Sequence, residues 1–174
     1  MTLNRRIRSA DPSEAPFLTQ LTIRSKAHWG YSEHFMTVAT PELEFRVEKF
    51  VPDFLVYLLE VDQTRVGFCS LLRVDDNTIE LHVDWLAIHK PDHDLSVFVH
   101  LLDKDGTMIG QADESAPVYG WRPLTTWQAG EVVSDVYALP RLANADSIAY
   151  GLYRQLPSGE FQNEYSFSVA VDCG

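Results

Sequence analysis

The sequence predicts an α+β fold, in which an N-terminal helical pair and an antiparallel meander run into an antiparallel β-sandwich-like C-terminal half. Apolar residues recur at helical spacing in the first part of the chain. From Phe54 onward the period changes to short runs of β-branched and aromatic residues separated by turn signals. Hydrophobic residues make up 45% of the 174 positions, which is ample for a folded core.

The helical region opens with a capping signal. Asp11 is a capping residue, and Glu14 stands three positions later, where it completes a capping box. The spacing predicts a first helix that ends near Gly30 and a second that starts around Ser32. A break and restart is expected at Pro41, because proline has no backbone donor.

Three strands are expected to follow as a meander, at residues 54–60, 65–74 and 78–88. Acidic and polar turn residues separate them. In the third strand, apolar residues alternate with polar ones. The alternation places four side chains on one face: Ile79, Leu81, Val83 and Trp85.

The second half of the chain reads as short strands with frequent turns. A hairpin turn at residues 103–106 joins strands at 95–102 and 107–112. Further strands are predicted at residues 131–139, 147–154 and 165–171. Turn-punctuated strands of this length favour a sandwich or an open barrel.

Charge and composition exclude several function classes. The net charge of −11 disfavours binding to nucleic acid or to anionic membranes. No apolar run approaches the ~20 residues that span a bilayer, and no signal-peptide pattern follows Met1. We therefore expect a cytoplasmic protein without membrane or nucleic-acid partners. Cys69 is predicted to be a small core residue, and with Cys173 it forms no disulfide framework.

The N-terminal stretch resembles the GNAT superfamily of N-acetyltransferases over residues 3–75. The motifs that carry this resemblance are Ile7-Arg8-Ser9-Ala10-Asp11, Arg24-Ser25-Lys26-Ala27-His28-Trp29-Gly30-Tyr31-Ser32 and Val66-Gly67-Phe68-Cys69-Ser70-Leu71. The resemblance implies acceptor-contacting residues at His28, Trp29 and Tyr31. It also implies a glycine-rich loop and a helix that hold the pyrophosphate of acetyl-coenzyme A after the next strand.

That glycine-rich loop is missing from the sequence. No glycine occurs between Gly67 and Gly106, and residues 89–94 stand where the loop belongs. Backbone N–H groups bind pyrophosphate closely only where side chains do not intervene. The sequence therefore predicts no cofactor and no catalytic residues, and acetyl-coenzyme A enters only if an atypical site replaces the loop.

The C-terminal stretch, over residues 78–160, resembles a β-sandwich module appended to bacterial membrane-bound glycosyltransferase-like proteins. The motifs are Val97-Phe98-Val99-His100-Leu101-Leu102-Asp103-Lys104-Asp105-Gly106, Arg122-Pro123-Leu124-Thr125-Thr126-Trp127-Gln128-Ala129-Gly130-Glu131-Val132-Val133, Tyr137-Ala138-Leu139-Pro140 and Gly151-Leu152-Tyr153. The module has structural or glycan-contacting roles. The two resemblances divide the chain into a truncated GNAT-like segment, 1–77, and a β-sandwich-like domain, 78–174, or into one merged domain. A joined gene, a recombined cassette or a constructed chimera would give the same pattern.

Aromatic residues supply the other candidate ligand contacts. Trp121 and Trp127, with Trp85 and Tyr119, can form a platform for a sugar or another flat ligand, or can anchor the core and loops. The His89-x-x-x-His93 pair has metal-ligand spacing, but a proline between the two places them in a solvated turn. No metal site is predicted.

Three functions are compatible with these features. The first is a non-catalytic, GNAT-derived hybrid that binds a ligand or partner through its sheet faces or aromatic loops. The second is an N-acetyltransferase that uses acetyl-coenzyme A at an atypical site, and the third is a carbohydrate-binding module. A truncated acyltransferase segment is also expected to leave an apolar edge, which favours a homodimer.

Overall fold

The computed structural model describes residues 5–28 and 32–171, and within them it has an α+β fold rich in antiparallel strands. In these ranges the helices and strands are β1 Arg5–Ser9, α1 Ala15–His28, α2 Glu33–Leu43, β2 Phe54–Val61, β3 Thr64–Arg73, β4 Thr78–Leu86, β5 Ser96–Asp103, β6 Met108–Gln111, β7 Val132–Pro140, β8 Ala145–Gln155 and β9 Phe161–Ala170. The α+β class predicted from the sequence is therefore confirmed.

The capping signals act as predicted. Glu14 Oε2 accepts a hydrogen bond from the Asp11 N–H at 2.9 Å, and the Asp11 side chain accepts one from the Ser13 N–H at 2.8 Å. Ser32 caps α2. The predicted break at Pro41 is wrong, because α2 continues to its end at Leu43. Pro41 lies in the last turn, so the helix loses only the hydrogen bond that its missing N–H would have donated.

The strands form two antiparallel sheets. The first, sheet A, has the order β1-β2-β3-β4-β7, and the second, sheet B, has the order β6-β5-β8-β9. Strand β4 pairs with β7 along its whole length, from Thr78 opposite Pro140 to Leu86 opposite Val132. The predicted boundary between residues 77 and 78 thus falls at the turn between two neighbouring strands of sheet A. The division into two segments stays a prediction.

Sheet A has apolar side chains on both faces. On one face, Val56 and Leu58 join Leu18 and Leu21 of α1 in a buried cluster. The opposite face packs on sheet B, and this larger core includes Leu71, Leu81, Val83, Val97, Val99, Leu101, Ile148 and Tyr150. Strand alternation explains the arrangement, since successive residues of a strand point to opposite faces. The helices, sheet A and sheet B are therefore stacked in that order.

An ion-pair network ties β1 to the first helical turn. The Arg8 guanidinium donates to both carboxylate oxygens of Glu14, at 2.7 and 2.8 Å, and to Glu60 on β2 at 2.8 Å. Arg65 lies 3.2 Å from Glu14. The hydrogen bonds from Arg8 are the main reason that the pKa of Glu14 falls from 4.5 to about 2. Bidentate pairs of this kind are among the stronger surface interactions.

We expect Arg8→Met to lower the free energy of unfolding by about 2 kcal/mol at neutral pH. Because the pKa of Glu14 is lower in the folded state, its contribution is present above pH 4.5 and is lost as the pH falls toward about 2. Urea denaturation at several pH values measures the difference. Arg46→Met is the control, since the Arg46–Glu44 pair is exposed and should contribute under about 0.5 kcal/mol. If Arg8→Met lowered the free energy of unfolding by the same amount at every pH, its pairing with Glu14 would not be the cause.

Candidate functional site

A cleft of about 630 Å³ lies at the end of the stacked sheets where β4 leads into β5. Strand β4 belongs to sheet A and β5 to sheet B, so residues 87–95 cross from one sheet to the other. No helix follows β4 in this part of the chain. The crossing forms one side of the cleft, and the ends of both sheets form the rest.

The interior of the cleft is mostly apolar. Its walls come from segments far apart in sequence: β2, β4, the crossing, the short helical turn Leu124–Thr126 with Trp127, β8 and β9. The apolar side chains that line it include Leu59, Trp85, Leu95, Leu124, Trp127, Leu152 and Phe167. Ligand sites in proteins have this size and character, with few polar groups among apolar walls.

Trp85 supplies an unpaired polar atom beside the cleft. The residue is 8% exposed, and its ring lies edge-on to Tyr150, with 6.1 Å between centroids. The indole Nε1–H is buried and has no hydrogen-bond partner among the described residues. Buried N–H groups without partners are rare and costly in folded proteins. Because Trp85 also lines the cleft, its N–H is the candidate donor to an acceptor on a bound ligand.

Trp127 has a different role. It is 3% exposed, belongs to the core between the sheets, and donates its Nε1–H to the Arg122 carbonyl at 3.2 Å. That bond fixes the ring in the cleft wall. Its polar atom is already satisfied, so the ring offers an apolar surface.

The mouth of the cleft carries charged and titratable groups. His89, Lys90 and His93 come from the crossing, and Glu164 comes from β9. His93 Nδ1 is hydrogen-bonded to the Asp92 carboxylate, and the histidine is the main reason that the pKa of Asp92 is lowered. The cleft thus combines an apolar interior with a polar rim, an arrangement suited to an amphipathic molecule.

The carboxylate of Asp84 is held on the helix side of sheet A. Although the residue borders the cleft, its carboxyl group accepts a hydrogen bond from Ser134 Oγ on β7, and the charge of Lys26 on α1 acts on it. Burial is the main influence and raises the pKa of Asp84 to about 6, against the smaller opposing effects of Ser134 and Lys26.

The predicted site residues fall in different places. His28 ends α1, and nothing is described of its side chain, while Trp29 and Tyr31 lie outside the described residues. Trp121 is 84% exposed and does not line the cleft, whereas Trp127 does. The structure therefore does not bring Trp121 and Trp127 together on one platform.

Sequence reasoning selected Trp85 and Trp127 of the cleft walls but not the other apolar residues that build them. Trp85 was recognisable from the alternation of β4, which places it on the inner face of the strand. Leu59, Leu152 and Phe167 carried no signal beyond ordinary strand patterning. They meet only because the two sheets stack at this end.

Other chemistry is limited within the described ranges. They hold no group of three or more histidine, cysteine or acidic side chains placed to bind a metal ion. Cys69 is fully buried, accepts a hydrogen bond from the Tyr150 hydroxyl at 3.2 Å, and has its pKa raised by burial to about 12. A thiol in this state is a packing residue and not a nucleophile.

The described helices include none with the length and apolar character needed to cross a membrane.

Comparison with known proteins gives no relative. No family model matches the chain, and no curated protein or solved structure matches it significantly. The two resemblances therefore rest on the sequence motifs that carry them. The geometry of the cleft has to support any functional argument.

Proposed function

We propose that this chain is a non-catalytic binding protein that takes a small amphipathic molecule into the cleft between its two sheets. The ligand has an apolar body and at least one hydrogen-bond acceptor. In this proposal the GNAT-like segment and a β-sandwich-like C-terminal half form one binding unit. The unpaired N–H of Trp85 at an apolar cleft is the observation that carries the proposal.

The size and lining of the cleft support a ligand with an apolar body. A volume of about 630 Å³ lies in the range of small-molecule sites. Apolar contact on both sides, from Leu59 of sheet A and from Leu152 and Phe167 of sheet B, removes apolar ligand surface from water. Burial of this kind contributes roughly 25 cal/mol per Å² before the costs of association.

The Trp85 N–H supports a ligand with an acceptor. In the free protein this donor is buried without a partner among the described residues, which destabilises the fold. A carboxylate, carbonyl or ether oxygen at hydrogen-bond distance would remove that penalty. The exposed Lys90 at the mouth adds a positive charge. Both groups favour decanoate, a carboxylate with a long apolar chain, as a first probe.

The surroundings of β4 support binding without catalysis. The crossing that follows this strand contains Pro91, which has no backbone donor to offer a phosphate. The far edge of β4 is occupied by β7 along its length. No observation of the described residues favours the acetyltransferase alternative over the binding function, so acetyl-coenzyme A serves as a comparison ligand.

We expect decanoate to bind saturably and to displace the fluorescent probe 1-anilinonaphthalene-8-sulfonate from the protein. Trp85→Phe should weaken decanoate binding about tenfold, because it removes one hydrogen-bond donor and keeps an aromatic ring. Fluorescence titration of the wild type and the variant measures both affinities.

Trp121→Phe is the matched control, since Trp121 is exposed and lies outside the cleft lining. Equal weakening in both variants would show that the effect does not come from the cleft. Saturable binding of acetyl-coenzyme A with no binding of decanoate would support the acetyltransferase alternative instead.

A further inference from the structure

A strained turn at residues 116–122, which we call the aromatic turn, lies outside the lining of the cleft. Val118, Tyr119 and Gly120 have consecutive φ angles of 58°, 57° and 80°. The left-handed region is unfavourable for residues with a Cβ and most of all for a β-branched one. Backbone strain of this kind persists only where the surrounding structure enforces it, and it concentrates at functional sites.

Hydrogen bonds hold the turn in this conformation. The N–H of Gly120 donates to the Ala116 carbonyl at 2.9 Å, and the N–H of Trp121 donates to the Val118 carbonyl at 3.0 Å. From below, the buried Asp135 carboxylate accepts a bond from the Val118 N–H at 2.8 Å. The same carboxylate oxygen accepts from the Tyr137 hydroxyl. The turn is therefore fixed to β7.

The turn displays two large aromatic rings to solvent. Tyr119 is 64% exposed and Trp121 is 84% exposed. In the part of the chain that is described, neither ring stacks on another ring or receives a cation. Rings held on a rigid backbone contact a ligand at a low cost in conformational entropy.

A carboxylate lies close to Gly120, the residue between Tyr119 and Trp121. A Cβ built on Gly120 would stand 2.9 Å from Ser115 Oγ and 4.0 Å from Glu114 Oε2. Glu114 is half-buried, and among the described residues its carboxylate has no hydrogen bond or ion pair. Burial is the main cause of the raised pKa of Asp135, and the charge of Glu114 adds to it. The charge of Glu114 therefore acts on the buried carboxyl group at the base of the turn.

We propose that the aromatic turn binds a trialkylammonium group, with Trp121 and Tyr119 offering their ring faces and Glu114 the counter-charge. Ring faces attract cations through their quadrupole, and quaternary ammonium groups have no N–H that must stay hydrated. The net charge of −11 also draws cations toward the surface. A sugar would use the rings but would not need the unpaired carboxylate.

Trialkylammonium groups occur in free molecules such as choline and in the trimethylated side chain of lysine. The experiment titrates choline chloride and Nε-trimethyl-lysine amide separately into the full chain and follows the indole N–H signal of Trp121 by NMR. We expect a saturable shift with at least one of them. A preference of tenfold or more would identify the source.

Trp121→Leu should abolish the binding, measured by calorimetry, and Glu114→Gln should weaken it severalfold and reduce its dependence on salt. Phe161→Leu is the control, because Phe161 is an exposed aromatic residue of β9 whose ring packs edge-on against Tyr153. Absence of saturation up to about 100 mM cation would overturn the proposal. So would binding of glucose or maltose that matches the cations and is unchanged in Glu114→Gln, since that result identifies a sugar platform.

Discussion

Gly151→Ala should destabilise the protein by at least about 3 kcal/mol and loosen β9 from β8. Gly151 lies in β8 opposite Ser166 of β9. A Cβ at this position would stand 1.9 Å from the Tyr165 carbonyl oxygen and 2.8 Å from Phe98 Cε1. The oxygen belongs to backbone, so the clash is relieved only if β9 moves.

The close approach arises from an irregularity in β9. Tyr165 pairs with Leu152 but the next pair joins Asn163 to Tyr153, so Glu164 is an extra residue in the strand. A bulge of this kind bends the strand and locally changes where its carbonyls point. Glycine at 151 is the residue that leaves room for the Tyr165 carbonyl.

Urea denaturation and hydrogen exchange of the β9 amides measure the effect of Gly151→Ala. Gly159→Ala is the control, because a Cβ there meets nothing within 4 Å and only the positive φ of 90° opposes it. We expect that control to cost about 1–2 kcal/mol. Similar losses in the two variants, or normal protection of the β9 amides in Gly151→Ala, would contradict the packing described for β8 and β9.

Asp84→Asn should raise the free energy of unfolding by about 2–3 kcal/mol at a pH above the raised pKa of Asp84. The carboxyl group is buried between sheet A and α1, and burial raises its pKa from 3.8 to about 6. The folded state therefore favours the protonated form. Ionised Asp84 weakens the fold, and the uncharged amide of asparagine removes that penalty while it can still accept a hydrogen bond from Ser134.

The sign of the pH dependence follows from the raised pKa. Stability linked to Asp84 is fully present below pH 3.8 and is lost as the pH rises through about 6. The advantage of Asp84→Asn should then vanish in acid. Thermal denaturation of both proteins across this range measures it. Asp135→Asn is a contrasting control. Burial also raises the pKa of Asp135, but both of its oxygens accept hydrogen bonds from Val118, Val136 and Tyr137, so the NH2 group of asparagine would face a donor and should destabilise the fold.

Asp84→Asn could instead change the free energy of unfolding equally at every pH, or lower it at neutral pH. Either result would show that the ionised carboxylate is stabilised by its surroundings. In that case the effects of Lys26 and Ser134 on the ionised carboxylate would outweigh the cost of its burial, whereas the raised pKa of Asp84 requires burial to dominate.

Local signals in the sequence identified most of the elements. The Asp11–Glu14 capping box and the alternation of β4 depend on residues close in the chain, and both are present as predicted. The break expected at Pro41 is absent, because the lost hydrogen bond does not end the helix there. In the last turn of a helix that loss is small, since few bonds follow it.

The meander of β2, β3 and β4 was predicted correctly. The rest of the sheet order and the cleft could not be predicted, because they depend on contacts between distant segments. Pairing of β4 with β7 joins residues 78–86 to residues 132–140, and no motif in either strand specifies the partner. Trp121 and Trp127 were indistinguishable as candidates in the sequence. In the structure they differ in burial, because the turn at 124–126 places Trp127 between the sheets.

NMR of the indole N–H groups tests most directly whether the Trp85 N–H donates to an acceptor on a ligand in the cleft. The chain has four tryptophans, and Trp85→Phe assigns the signal of Trp85 by its disappearance. On addition of decanoate we predict a saturable downfield shift of the Trp85 signal and no shift of the Trp121 signal. An unchanged Trp85 signal while decanoate binds elsewhere on the protein would contradict the proposed binding to the Trp85 N–H.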